Sequence, residues 1–394
     1  MRKFVSILSL VVSAGLIVSC NSGHPSNQVS YPYQFVIDSG SSGSRIYVYN
    51  KYNTESGTVV INMYEKKVSI PLSSFANNPN QAGTSISPLL ESAIQTLKIE
   101  VPNVNIALVP TSLLATAGMR LLSESQQAQI YANVAESISQ KGLMVGEVKT
   151  ISGQYEGLYS WLDVNYLNGG LSQNELTNGI FEVGGASAQV AFATEPLLNN
   201  KDIIHVTVNG KIYNIYSISF LGLGQNYARA LMNEEVDHNA CYPIGYNYSG
   251  TNTPYFSDKT LNISGNFNYG DCTTNFADVI DAYHAINVIN QISGFYKQQF
   301  IGIDNVYKAL SFWQINNEPY LLANKIQTTC VKNYAQLKEL YPTAENLQNQ
   351  CAMSVQINNM MFDNLKFEPT QLIALPSING TNLTWTLGFA LTNY

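Results

Sequence analysis

The chain has 394 residues and a formal net charge of −7, with 45% hydrophobic and only 12% charged residues. A single hydrophobic core stops growing at about 250–300 residues, so this length sets an expectation of two domains. The acidic balance excludes a nucleic-acid binder, which needs clustered Lys and Arg, and no apolar run of membrane-spanning length follows the N-terminus, so the body reads as soluble.

Residues 1–20 have the order of an export signal: Arg2 and Lys3, an apolar stretch from Phe4 to Val18, then Ser19 and Cys20. The Ile17–Cys20 segment (IVSC) fits a bacterial lipobox, in which Cys20 carries a lipid anchor; an ordinary signal with a chance cysteine is the other reading. Either way the chain is expected outside the cytoplasm, in a bacterial periplasm, on the outer-membrane surface or secreted. Residues 21–32, polar with two prolines, read as a tether.

Beyond the tether, alternating apolar residues at 35–37, 46–49, 59–61 and 68–70 predict strands. Ile86, Leu89, Leu90, Ala93, Ile94 and Leu97 have helical spacing. A buried strand is expected at 104–109, a small-residue loop at 115–118 and a helix over 123–140. Residues 152–167 read as a helix capped by Ser152. Strands follow at 179–183, 187–193, 203–208 and 211–219, and Leu221–Gly224 opens a helix. The Asn-, Gly- and Tyr-rich block 235–275 reads as a disulfide-closed loop, with helices expected over 278–300 and 344–361 and strand character over 371–394. Strand-rich starts followed by helices, twice over, indicate an α/β protein of two similar lobes.

Of five cysteines, setting Cys20 aside leaves Cys241, Cys272, Cys330 and Cys351. An even number in an oxidising compartment points to two disulfides, with three connectivities open. The sequential one, Cys241–Cys272 and Cys330–Cys351, closes the shortest loops. The wide spacings do not resemble a zinc motif.

One unit is written twice. Residues 35–45 (FVIDSGSSGSR) and 179–189 (GIFEVGGASAQ) each give an apolar strand, a carboxylate at its end (Asp38, Glu182), a small-residue turn and a second strand. Such a turn turns several backbone N–H groups toward one concave side, where phosphate oxygens dock. A carboxylate beside it is costly unless a cation intervenes, and Mg²⁺ or Ca²⁺, hard and oxygen-seeking, suits that place. Glu156 falls in the first turn of the 152–167 helix, flanked by Gly153 and Gly157. Glycine is unfavourable within a helix, so two around one carboxylate imply that something approaches closely.

In order along the chain, Ile37–Arg45 (IDSGSSGSR), Ala115–Leu121 (ATAGMRL), Gly153–Trp161 (GQYEGLYSW), Glu182–Gln189 (EVGGASAQ) and Trp385–Gly388 (WTLG) resemble the apyrase regions of the nucleoside triphosphate diphosphohydrolase (ecto-apyrase) family. Ser219–Gly224 (SFLGLG) with Arg229 is similar to a further stretch, and the four cysteines sit where that family pairs them. The resemblance covers roughly residues 33–390. It implies two RNase H-like lobes of the actin-like superfamily, with the active site in the cleft between them. Lobe I would span 33–166 and lobe II 167–370, and residues 371–394 would return to lobe I.

It also implies roles, position by position. Asp38 and Glu182 would hold the waters of a bridging Mg²⁺ or Ca²⁺, with Trp385 at the metal end of the cleft. Ser41, Ser42, Gly43, Gly184, Gly185 and Ala186, with Thr116 and Ala117, would cradle the phosphates. Glu156 would be the general base for the attacking water, positioned with the help of Ser187 and Gln189. Arg45 and Arg120 stay open between phosphate contact and a structural ion pair. The family usually has Asp where this chain has Glu182, which bears on metal preference. The implied protein is a monomeric exported apyrase taking nucleoside tri- and diphosphates stepwise to monophosphates. An exopolyphosphatase-like enzyme of the same fold and a non-hydrolytic nucleotide-binding surface protein are the alternatives. Tyr296 and Tyr341 are candidate base-stacking platforms.

Overall fold

The computed structural model describes residues 31–392 except 56, 173–174, 197–199, 236 and 253–255. The expected signal, Cys20 and nearly all of the tether lie outside the described residues. Strand β1 (Tyr33–Gly40) shows why the first sheet is central. Phe35 and Ile37 enter one core and Val36 another, so both faces are covered. It continues antiparallel into β2 (Gly43–Thr54) and β3 (Gly57–Val68), and α1 (Ala82–Glu100) follows. Then come β4 (Pro110–Ala115), the short α2 (Ala117–Arg120), α3 (Glu124–Gln140), β5 (Met144–Thr150) and α4 (Gly153–Leu167). The sheet order is β3-β2-β1-β4-β5.

The second lobe repeats the plan with β6 (Gly179–Val183), β7 (Ser187–Ala193), β8 (Ile203–Val208), β9 (Lys211–Leu221) and α5 (Gln225–Met232). A hairpin, β10 (Asn247–Asn252) and β11 (Phe256–Ser264), precedes α6 (Tyr269–Asp281), β12 (Phe300–Asp304) and α7 (Asn305–Phe312). The chain ends through α8 (Leu322–Thr329), α9 (Tyr334–Leu340), α10 (Leu347–Asn358), β13 (Leu372–Ala374) and α11 (Trp385–Thr392). Its sheet order, β13-β12-β6-β7-β9-β8, matches the first with β8 added. β1 corresponds to β6, and the parallel neighbours β4 and β5 correspond to β12 and β13. This is the two-lobed, actin-like α/β fold. Helices α1 and α3 pack on the outer face of the first sheet; on the second, α7 packs on β6, β12 and β13, and α5, α6, α8 and α10 share its core.

Between the sheets lie α4 and α11, packed on each other. They are exchanged. Helix α4, continuous with the first lobe, lies on β6, β7 and β9 of the second, while α11 lies on β1, β2 and β3 of the first. Tyr49 on β2 hydrogen-bonds Thr386 (2.7 Å), and Lys51 Nζ donates to the Ala390 carbonyl near the end of α11 (2.7 Å).

Several expectations need correction. Residues 104–109 are not a buried strand: Ile106–Leu108 is a 3-10 turn closed by the Asn105 side chain, and the strand is Pro110–Ala115. Its Thr111 and Ser112 are buried despite their polarity, which hid it from apolar patterning. The helix expected over 278–300 stops at Asp281, and β12 follows, too short and too evenly buried to show a period. Block 235–275 holds a hairpin and the start of α6. Segment 371–394 divides: β13 joins the second sheet, Asn382 donates to Glu65 on β3 (3.1 Å), and α11, apolar all round and so without a helical stripe, packs on the first lobe. Cys241 pairs with Cys272 and Cys330 with Cys351. No helix among the described residues is long and apolar enough to cross a membrane.

Candidate active site

Asp38 and Glu182 occupy equivalent places. Asp38 faces Arg45 of β2 and Leu114 of β4 in register; Glu182 faces Gln189 of β7 and Ile303 of β12. The turns after them, one from each lobe, meet so closely that a side chain on Gly185 would strike Ser41 Oγ. A cleft of about 910 Å³ opens there. Every catalytic, phosphate-binding and metal-facing residue expected from the sequence lines it except Arg120 and Gln189. The N–H groups of Ser41, Ser42, Gly185 and Ala186 join none of the turn hydrogen bonds found among the described residues, so they are free to donate to an anion.

Glu156 enters the cleft from α4, whose first turn is capped by Ser152 Oγ accepting from the Tyr155 N–H. What approaches Gly153 and Gly157 is strand β9: added Cβ atoms would meet Ser219 and Ser217. The glycines thus let α4 settle onto the second sheet. Arg120 donates through Nη2 to Glu156 Oε2 (2.5 Å) and through Nε to the Ile151 carbonyl (3.0 Å). It lies behind the cleft as an ion-pair partner of Glu156. Gln189 Nε2 reaches Ser187 Oγ (2.7 Å), Ser219 Oγ (3.0 Å) and Glu156 Oε2 (3.3 Å). Both contacts to the Glu156 carboxylate fall on Oε2 and leave Oε1 uncommitted. Arg45 Nη1 donates to Tyr47 Oη (3.3 Å) at the cleft wall.

The carboxylates share one electrostatic problem. Burial, then the charge of Glu156, pushes Asp38 up to about 7 against the pull of Arg45. Burial and the neighbouring Glu156 raise Glu182 well above the usual carboxylate range, against the hydroxyl of Ser160, which donates to its Oε2 (2.6 Å). Burial raises Glu156 as well, with Arg120 opposing. Converging acids of this kind call for a cation. Among the described residues no three Asp, Glu, His or Cys side chains stand close enough to hold a metal directly. Two carboxylates on opposite lobes, with Asp38 Oδ1 buried and unpartnered, suit instead a hard ion gripped through its own waters. Trp385 borders the cleft at the start of α11. There Asp163 of α4 accepts from the Thr384 N–H (2.8 Å) and fixes the approach.

Sequence reasoning missed Asp304. It ends β12 one step beyond the level of Glu182, in a backbone conformation rare for non-glycine residues (φ 52°, ψ −115°). It stands where an Asp would cap α7 but makes no cap bond. Its carboxylate takes Lys308 Nζ (2.6 Å) and Asn305 Nδ2 (3.2 Å), and Asn305 also ties back to the Val183 carbonyl (2.8 Å). The signal was available, since Phe300–Asp304 is a third apolar strand ending in an acid. Tyr296 and Tyr341 do not line the cleft: Tyr296 is exposed, and Tyr341 packs at a tilt against Phe312, which lines the cleft with Tyr307, Asn346 and Gln350.

Residues 25–394 match the GDA1/CD39 (nucleoside phosphatase) family. The chain belongs to that family. This nucleoside phosphatase is 29% identical to probable apyrase 4 of Arabidopsis thaliana, over 99% of its own length and 85% of that protein's. It is 26% identical to ectonucleoside triphosphate diphosphohydrolase 8 of Gallus gallus, over 91% and 82%. Among solved structures it superimposes on the nucleoside triphosphate hydrolase of Neospora caninum with a TM-score of 0.67, at 16% identity, over 91% of this chain and 92% of that one. A Ppx/GppA phosphatase of Aquifex aeolicus gives 0.51 at 11% identity, over 91% and 98%. At these identities the structural likenesses speak for the fold.

Proposed function

We propose that this chain is an exported apyrase that removes terminal phosphate from nucleoside tri- and diphosphates in turn, ending at the monophosphate. The observation that carries the reading is Glu156. It is a carboxylate at the cleft wall with one oxygen held by Arg120 and Gln189 and the other uncommitted, between two turns with free N–H groups. The turns around Ser41–Gly43 and Gly184–Ala186, with Thr116 and Ala117, hold the phosphate chain through backbone and hydroxyl donors. Ser187 and Gln189 orient a water, and Glu156 accepts its proton as the oxygen bonds the terminal phosphorus and the bond to the bridging oxygen breaks. Burial suits Glu156 to this task, because a base raised toward neutrality takes a proton more readily. Mg²⁺ or Ca²⁺, held through water by Asp38 and Glu182 beside Trp385, supplies charge neutralisation of the phosphates when bound.

Phosphoryl transfer to water needs positioning and electrostatic stabilisation more than covalent chemistry, and general-base assistance contributes about 10²–10⁴-fold. Two disulfides fit an exported protein. The test is phosphate release from ATP, ADP, GTP, UDP, AMP and polyphosphate with Mg²⁺, Ca²⁺ or EDTA. Release from tri- and diphosphates alone, abolished by EDTA, is expected. Glu156→Ala should end turnover while nucleotide binding persists. Near-normal kcat in that variant would overturn the assignment of the base, and release from polyphosphate in place of nucleotides would overturn the substrate.

A further inference from the structure

Helix α4 carries Glu156 and, four residues on, Ser160, so both side chains project from the same face. Ser160 is buried and does not line the cleft. A serine within a helix commonly turns its hydroxyl back to the carbonyl one turn earlier. Here the single hydroxyl proton goes across to the second lobe's sheet, to Glu182 Oε2 at 2.6 Å. That length is within the range of a short, strong O–H···O bond.

We propose that Ser160 is a positioning residue that pins one oxygen of Glu182 and so aims the other at the divalent cation. This rests on the reading above, in which Glu182 faces that cation. The need follows from the side chain. Glutamate has three torsions, and the last is broad and roughly two-fold, so an untied carboxylate on β6 would sweep the cleft mouth. One bond to a rigid helix removes that freedom. Because the same helix bears Glu156, it also sets the spacing between the proposed base and the proposed cation-facing carboxylate, across the boundary between lobes. Nothing in α4 itself asks for serine here, since alanine is the better helix former, so the residue is explained by its partner.

The test measures Mn²⁺ binding by electron paramagnetic resonance, on the whole protein with the non-hydrolysable analogue adenosine 5′-(β,γ-imido)triphosphate. Partners that orient metal-binding groups typically contribute about 10–100-fold to affinity, so Ser160→Ala should weaken Mn²⁺ roughly tenfold or more. Its melting temperature is recorded alongside. Ser160→Cys, of similar size but a weak donor, repeats the comparison without a cavity and should show a similar loss. In a Glu182→Gln background the further change Ser160→Ala should cost little, because the carboxylate it serves is gone. Two results overturn the proposal: wild-type affinity in Ser160→Ala and Ser160→Cys while Glu182→Gln binds weakly, or an equal loss from Ser160→Ala in both backgrounds. Wild-type affinity in Glu182→Gln itself would instead refute the role of Glu182, and this inference with it.

Discussion

Gly157→Ala should destabilise this protein, against the usual sign of the change. In an exposed helix, alanine for glycine gains about 0.8–1 kcal/mol. Here the new methyl would sit 2.6 Å from Ser217 Oγ and 3.5 Å from Gln189 Cβ. The Ser217 hydroxyl is buried and donates to the Gln154 carbonyl at 2.8 Å. Either it swings away and leaves a buried polar group unsatisfied, at about 1–3 kcal/mol, or α4 lifts from β9 at an overpacking cost of about 1–3 kcal/mol. Set against the helix gain, the net is a loss of about 1 kcal/mol. With an unfolding entropy of about 2 cal/mol/K per residue over a chain of 394 residues, melting should fall by about 1 °C. A lifted α4 also moves Glu156, and displacement of a reacting group by about 1 Å can lower turnover on the order of a hundredfold. Calorimetry and phosphate release measure the two effects. Adding Ser217→Ala, which removes the clashing oxygen, should recover both. A rise in melting temperature for Gly157→Ala, or no recovery in the double variant, would refute the packing argument.

Arg120→Met strands a buried carboxylate, which costs up to about 3–5 kcal/mol. Removing the charge that holds Glu156 down also moves its carboxyl higher, so the acid limb of kcat/KM should shift to higher pH; an unmoved limb would disconnect Arg120 from the base. Stability without metal should depend on pH through Asp38. Its carboxyl lies at about 7 in the folded protein against an ordinary 3.8, so the folded state holds a proton that the unfolded chain releases across this interval. Stability is therefore full below pH 4 as far as this group is concerned. It declines as pH rises toward 7, by up to about 4 kcal/mol from the difference of 3.2. Calorimetry in EDTA should find less stability at pH 8 than at pH 5, and Mg²⁺ should restore more at pH 8; a flat profile would show Asp38 to be better solvated than its burial implies.

Much of the site was legible because its chemistry sits on contiguous motifs. The repeated strand, acid and turn announced Asp38 and Glu182, and the two glycines around Glu156 marked a close approach without naming what approached. Ser217 and Ser219 come from a strand some sixty residues on, and a linear reading has no access to that distance. Strand β12 was lost for a different reason. Four successive buried residues, Phe300–Ile303, show no alternation, and with the strand went Asp304, the acid that ends it. Ser160 gave no signal, because a serine in a helix is unremarkable until its partner is seen. Helix α11 failed by excess: apolar on every side, it offered no stripe to read.

The exchange of α4 and α11 has a consequence for how the protein is made. The first sheet is complete in sequence by residue 150, yet the helix that seals its inner face is Trp385–Thr392. A chain delivered from its N-terminus therefore presents a half-covered sheet, with Val36, Tyr47 and Tyr49 unsealed, until residues 385–392 have followed. The lobes cannot mature in sequence like beads on a string. The closing contacts, Tyr49 to Thr386 and Lys51 to Ala390, span 337 and 339 residues, and contacts that distant form late and slowly. Until that helix arrives, apolar surface is open to aggregation or to a chaperone, and α11 acts as the latch of the first lobe.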